Sequence, residues 1–262
     1  MKKSVYITRQ DSATVTPPDV GDVHQRDNRR SAQNRLTNEA RSAMALADSL
    51  ESRAELDHSL RTLGDQLRRS YLESTRALVA AVEARDPYTH DHSQRVSHYA
   101  KTIATRMRLD CREVSRIETA AILHDIGKIG VPDSILRKTD KLLPEEFEVI
   151  RCHPAIGVKI LAHNTYLRRE LPIILHHHEK YDGSGYPDGL AGERIPIGAR
   201  VLAAADALDA MLSRRAYRPA LSMQEARSEL SRQRGTQFDP EVVDVLLDWL
   251  NEMDAESNSA PN

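Results

Sequence analysis

REVSRIETAAILHDIG, residues 112–127, carries the pattern that decides the fold. Ile117, Ala120, Ala121 and His124 fall at i, i+3, i+4 and i+7, which is one face of an α-helix. The apolar members turn that face inward, so His124 points to the packed side. Asp125 follows about a quarter-turn round, and Lys128 lies one turn beyond His124. A histidine beside a carboxylate on a packed face is costly to bury unless something positive satisfies it. A divalent metal does that. For this pair alone, a hydrogen-bonded core histidine is the competing reading.

Short helical patterns with clear punctuation extend in both directions. Before the quoted stretch, Val96, Tyr99, Ala100, Ile103, Ala104 and Met107 share one face of a helix over Ser93 to Met107. After it, a helix opens at Pro144, where proline suits the first position and Glu145 and Glu146 complement the dipole. Further helices are expected over Pro154 to Ala162, Pro172 to Lys180 and Ile197 to Ser213. Ser222 and Glu225 form a capping-box pattern for a helix that Gly235 closes. Asp239-Pro240 then opens the last one, with Val242, Val243, Val245, Leu246, Leu247 and Leu250. No strand pattern of any length occurs. With only two Phe and one Trp, the core must be aliphatic and Ala-rich, which favours helices. The expectation is an all-α bundle over residues 72–253, with a loose tail at 254–262.

The N-terminal part reads differently. Residues 1–40 are polar, with Pro17, Pro18 and an Arg/Asn/Gln-rich run, and are expected to be a disordered tail. Residues 41–84 contain no proline and one glycine, and read as a long helix ending before Asp86-Pro87. Leu56, Leu60, Leu63 and Leu67 recur at steps of four, three and four, the seam of a coiled coil. That seam suits a homodimer; folding back on the main domain is the alternative.

Charge and composition narrow the function. A formal charge of -2 gives no reason to expect DNA as a partner. No apolar run approaches the ~18 residues of a membrane span, and Met1 to Arg9 lacks a signal-peptide apolar region. Cys111 and Cys152 have no metal-type spacing and read as reduced thiols of a cytoplasmic protein.

The histidines carry the chemistry. In the Pro172 helix, Ile173 and His177 are four apart, as are Ile174 and His178, so two adjacent histidines extend an apolar face. In the Ile197 helix, Leu202, Asp206 and Asp209 fall at i, i+4 and i+7, placing carboxylates on the packed stripe. His92 and His153 sit where a loop meets a helix. Helices that each present a His or Asp inward are how bundles build two-metal sites.

These blocks carry a family resemblance. His124-Asp125-Ile126-Gly127-Lys128 resembles the signature of HD-superfamily phosphohydrolases, and the run from His177 to Pro187 (HHEKYDGSGYP) resembles the HD-GYP motif. Asp86-Pro87-Tyr88-Thr89, His92-Ser93, His153-Pro154 and Gly235-Thr236-Gln237-Phe238-Asp239-Pro240 are also similar to that family. The similarity runs from about residue 77 to 248. It implies an HD-type helical bundle preceded by a long N-terminal helix, and a phosphodiesterase opening cyclic di-GMP to pGpG, with GMP as a further product.

Position by position, the resemblance implies that His92, His124, Asp125 and Asp206 bind one metal. Asp125 bridges to a second, completed by His153, His177 and His178. Iron or manganese suits this mixed ligation, and a hydroxide activated by two metals attacks phosphorus in line. Asp125 and Lys128 are the implied catalytic residues, with Lys128, Tyr186 and Arg215 meeting the substrate. Tyr88 stands four residues before His92, where three-metal members carry Glu, so two metals are expected. Arg214 and Ala216 replace the family's acidic residue and proline beside Arg215, altering the edge of the pocket. His90 reads as a surface histidine, and Arg218 as a solvated charge. Regulation is expected through the N-terminal helix, by dimerisation or a partner protein. Two other functions remain open: a non-catalytic signalling adaptor, and an HD enzyme for another cyclic dinucleotide.

Overall fold

The structure is a computed structural model that describes residues 20–85, 91–213 and 219–259. Ten α-helices run in chain order among the described residues: α1 Val20–Glu83, α2 His92–Arg106, α3 Cys111–Leu123, α4 Asp133–Leu136, α5 Pro144–Arg151, α6 His153–Leu161, α7 Leu171–Leu175, α8 Ile197–Leu212, α9 Met223–Arg232 and α10 Pro240–Ser259. Short 3-10 turns cover Ile126–Gly130, Thr165–Leu167 and Gly192–Arg194. No strand occurs among the described residues, only an isolated bridge between Arg234 and Phe238. The all-α class read from the sequence is the observed one.

Three boundaries differ from the sequence reading. Residues 20–40, expected as a disordered tail, are helical in α1, and α10 carries 254–259 of the expected loose tail. Both stretches lack proline, and Arg, Asn, Gln and Ala tolerate helix, so low hydrophobicity did not prevent helix formation there. The helix expected over Pro172 to Lys180 stops at Leu175, so His177 and His178 lie in the turn after it. The Asp86-Pro87 stop lies outside the described residues.

The chain divides into two units, Met1–Gln66 and Leu67–Asn262. In the first, the described part is helix, and Leu36, Met44, Leu46, Leu50, Leu56, Leu60 and Leu63 are all exposed along it. The second unit holds the core. Here α8 is the central rod, packed against α2, α3, α7, α9 and α10. Ala100 and Ala104 of α2, Ala120 and Ala121 of α3, and Ala204 and Ala205 of α8 are fully buried. Small side chains let these helices approach closely, while Ile103, Ile117, Leu202, Leu208, Leu230 and Leu246 fill the remaining volume. Each such aliphatic side chain contributes about 1.5–3 kcal/mol by leaving water. Val79 and Val82, in the last turns of α1, join the same cluster.

Local chemistry fixes where the site-bearing helices begin. Asp110 caps α3 by accepting from the Arg112 N–H at 2.6 Å. Ser222 and Glu225 form the capping box expected for α9. The start of α2 is held from outside: its own N-cap, Asp91, makes no side-chain cap, and the Glu83 carboxylate accepts from the Ser93 N–H and hydroxyl at 2.9 and 2.6 Å. Arg85 donates to the carbonyls of Ile129 and Val131 and to Asp133 at 2.6–3.1 Å. The end of α1 therefore grips both the start of α2 and the segment after Lys128.

Candidate metal centre

Seven side chains from five stretches of chain meet in the bundle. His92 opens α2, His124 follows the last turn of α3, Asp125 precedes the 3-10 turn, and His153 opens α6. His177 and His178 follow α7, and Asp206 sits in the middle of α8. Potential ligand atoms lie within 4.8 Å of one another in three groups: His92, His124 and Asp206; His153, His177 and His178; and His124, Asp125 and His177. Asp125 lies between the two triads. Its Oδ2 is 3.4 Å from His124 Nε2 and 3.9 Å from His92 Nε2, and its Oδ1 is 3.2 Å from His153 Nε2.

Hydrogen bonding fixes which nitrogen of each ring is available. A carbonyl can only accept, so Nδ1 carries the proton in His124 on Ala121 O, His153 on Ile150 O and His177 on Ile174 O, each at 2.7 Å. A neutral ring of this tautomer offers a bare lone pair at Nε2. His124 Nε2 is buried without a hydrogen-bond partner, and His153 Nε2 faces His177 Nε2 at 3.4 Å. Lone pairs facing each other beside a carboxylate need a cation among them. The donor set therefore fits metal ions, and these His/Asp clusters could hold them.

The electrostatics agree. Burial holds the His124 imidazole below its ordinary range, as it does His177, where the neighbouring imidazoles add to the effect. Burial, helped by His153, pushes His178 down to about 3. Burial opposes ionisation of Asp125, yet Lys128 and His124 hold its carboxyl well below the usual carboxylate range. Asp206 is likewise lowered against burial by its contact with His92, at 3.4 Å. Neutral imidazoles and ionised carboxylates are the protonation states that bind divalent ions. His92 is the exception: burial lowers its pKa but contacts with Asp206 and Asp209 raise it to about 10, so it must give up a proton to join them.

Lys128 places its ammonium 2.5 Å from Asp125 Oδ2. Tyr186 stacks on His178 with ring centroids 4.9 Å apart, and Arg151 lies over the Tyr186 ring at 4.7 Å. Burial, then the charge of Asp125, pushes the Tyr186 phenol up. Arg215, Arg214, Ala216, Arg218, Tyr88 and His90 lie outside the described residues. Cys111 and Cys152 are free and exposed.

Several residues that shape the centre were not singled out from the sequence. Gly127 is one: a Cβ there would lie 1.9 Å from the His153 carbonyl oxygen, so only glycine lets the turn carrying Asp125 press against α6. Glu179 is buried and accepts from the Asp188 and Leu190 N–H groups at 2.7 and 3.1 Å, tying the Gly-Tyr-Pro loop to the two histidines before it. That loop is also held by the Gly235–Pro240 block, whose Thr236 and Gln237 carbonyls accept from Asp182 and Tyr181. Gly185, by contrast, is a glycine whose close approach the sequence does suggest, and a Cβ there would lie 2.3 Å from the Lys180 backbone nitrogen. Asp209, read only as a stripe carboxylate, accepts from His92 Nδ1 at 2.7 Å.

A family model described as the HD domain matches residues 76–242. The chain belongs to the HD domain family, in its HD-GYP branch. It is 44% identical over 204 residues to a cyclic di-GMP phosphodiesterase response regulator of Xanthomonas campestris, covering 77% of this chain and 54% of that one. It is 40% identical over 200 residues to a 3'3'-cGAMP-specific phosphodiesterase of Vibrio cholerae, covering 75% of this chain and 38% of that one. The chain thus spans about half or less of the length of these relatives. A solved cyclic GMP-AMP-specific phosphodiesterase of V. cholerae aligns with TM-score 0.53 at 16% identity, covering 71% of this chain and 51% of that one, which shows the shared fold. Among the described residues no helix is long and apolar enough to cross a membrane.

Proposed function

We propose that the protein is a metal-dependent phosphodiesterase that hydrolyses cyclic di-GMP to pGpG, with GMP as a further product. One observation carries this reading: a triad of two histidines and Asp206 and a triad of three histidines lie on either side of Asp125, with Nε2 of His124 and of His153 3.4 and 3.2 Å from its carboxylate oxygens. His92, His124 and Asp206 would hold one ion, His153, His177 and His178 another, and Asp125 both. Their mixed nitrogen and oxygen donors suit iron or manganese. When bound, the ions supply an activated water and offset the negative charge that develops at phosphorus.

The chain's own side chains do the rest. Lys128 Nζ, held at Asp125, is the cation placed to meet a phosphate oxygen. Tyr186, clamped between His178 and Arg151, presents a protonated phenol to phosphate or base. Arg215 is assigned to substrate phosphate by its place after α8. The exposed Leu56, Leu60, Leu63 and Leu67 of α1 support a homodimer, through which a partner protein would act. A cytoplasmic location goes with a cyclic dinucleotide substrate. The cGAMP-specific relative favours a second reading, hydrolysis of a mixed cyclic dinucleotide.

The test is anaerobic purification, metal analysis, and product chromatography after incubation with cyclic di-GMP and, separately, 3'3'-cGAMP. About two iron or manganese per chain with pGpG or GMP appearing supports the reading. Turnover of 3'3'-cGAMP alone selects the second, and metal without turnover of either indicates an adaptor. Asp125→Ala should lose metal and activity together; full activity in that variant refutes the site.

A further inference from the structure

The two triads are not equivalent in what stands behind their ligands. His124, His153 and His177 rest on neutral backbone carbonyls. His92 instead gives its Nδ1 proton to Asp209 Oδ2 at 2.7 Å. Asp209 is 1% exposed, and also accepts from the Arg95 guanidinium through Nε at 2.6 Å and Nη2 at 3.0 Å, with the Ser213 hydroxyl 3.3 Å away. A carboxylate behind an imidazole locks its tautomer and makes its other nitrogen a stronger donor. This is also the triad that contains Asp206, whereas its neighbour consists of three imidazoles. The excess negative charge therefore lies on one side of Asp125.

Resting on the metal-centre reading above, the geometry points to Asp209 as a positioning residue that makes the His92–His124–Asp206 half the tighter site, filled first, before the His153–His177–His178 half. Asp209 acts through His92: it aims Nε2 inward and supplies negative charge. Arg95 opposes that charge, while the His92 Nδ1–H and the Ser213 hydroxyl also contact the Asp209 carboxylate and keep it aimed at His92.

The test is stepwise titration of metal-stripped protein with Mn²⁺, followed by calorimetry and by the electron paramagnetic resonance of isolated and coupled ions. The native chain should show two steps, and His178→Ala should abolish the second while leaving the first. Asp209→Asn, nearly isosteric, should weaken the first step roughly 10- to 100-fold and barely move the second. Arg95→Gln removes the opposing cation and should leave the first step as tight or tighter, whereas a purely structural role for the pair predicts loss in both variants. The inference falls if Asp209→Asn leaves the first step intact or weakens both alike, or if Arg95→Gln weakens the first step. Should Asp209→Asn fail to fold, the direction seen with Arg95→Gln still decides. Native protein taking up fewer than two Mn²⁺ would overturn the two-metal reading itself.

Discussion

Gly127→Ala puts one methyl group where the centre has no room for it. The added Cβ would lie 1.9 Å from His153 O, 2.5 Å from Gly157 N and 2.9 Å from His153 C, all backbone atoms that cannot rotate away. Restoring ordinary contact near 3.4 Å means parting the 3-10 turn from the start of α6 by about 1.5 Å. Overpacking of this kind costs about 1–3 kcal/mol. In a unit of this size that lowers Tm by roughly 2–4 °C per kcal/mol. The functional loss should be larger, because the same movement pulls Asp125 from His153, now 3.2 Å away. A misplacement of about 1 Å can cost roughly 100-fold in rate. Thermal unfolding, Mn²⁺ affinity and turnover should be measured together, with Gly130→Ala as the comparison. A Cβ on Gly130 meets only the Ile156 side chain, at 3.0 Å and beyond, which can adjust. The expected result is a folded Gly127→Ala protein with weakened metal binding and turnover, and a near-native Gly130→Ala. Native metal affinity and turnover in Gly127→Ala would refute the reasoning.

Two further outcomes follow from other parts of the molecule. Leu60→Glu with Leu63→Glu places charges on the exposed α1 seam, and light scattering should fall from dimer to monomer mass with the unfolding temperature of the core little changed; an unchanged mass counts against pairing there. In metal-stripped protein, burial opposes the charge on His92, but hydrogen bonds to Asp206 and Asp209 outweigh it and push its pKa up to about 10. The folded value exceeds the unfolded one of about 6.5, so this pairing stabilises fully below about pH 6.5 and is lost as pH rises through 10. At about pH 7.5, a divalent ion at His92 must expel that proton, so calorimetry in buffers of different ionisation heat should reveal about one proton released at this residue. Binding heat independent of buffer would contradict it.

The sequence marked the fold well where periodicity was strong. The stripe Ile117, Ala120, Ala121 and His124 is buried as read, and the Ser222–Glu225 box closes as read. Helix periodicity pointed to His124, His177, His178 and Asp206 as polar groups on apolar faces, while the full set of seven candidate ligands came from the family resemblance. What stayed hidden depends on approach across the chain. Asp209 shares the stripe of Asp206, but its partners His92 and Arg95 lie 117 and 114 residues away. Gly127 looks like any glycine in a loop until the His153 carbonyl is found against it. The early start of α1 was not legible because low hydrophobicity reads as disorder, while residues 22–40 hold no proline or glycine and continue the helix that begins with Val20.

The placement of the histidines follows from an unsatisfied need of short helices. The last turn of every helix leaves carbonyls without intrahelical partners. Ala121 in α3, Ile150 in α5 and Ile174 in α7 are such residues, and the histidine three positions later takes each carbonyl with Nδ1. The helix end is thereby capped, the tautomer is fixed, and Nε2 is turned away from the capped helix. Helices ended this way aim their Nε2 atoms at one another, so the caps and the candidate ligands are the same side chains. It follows that replacing one of these histidines by Gln would cost stability even without metal, because a helix end loses its cap as the centre loses a donor. His92, which begins its helix instead of ending one, has no such carbonyl to use. Asp209 fills that role from α8, bringing a full negative charge where the other rings have a neutral dipole.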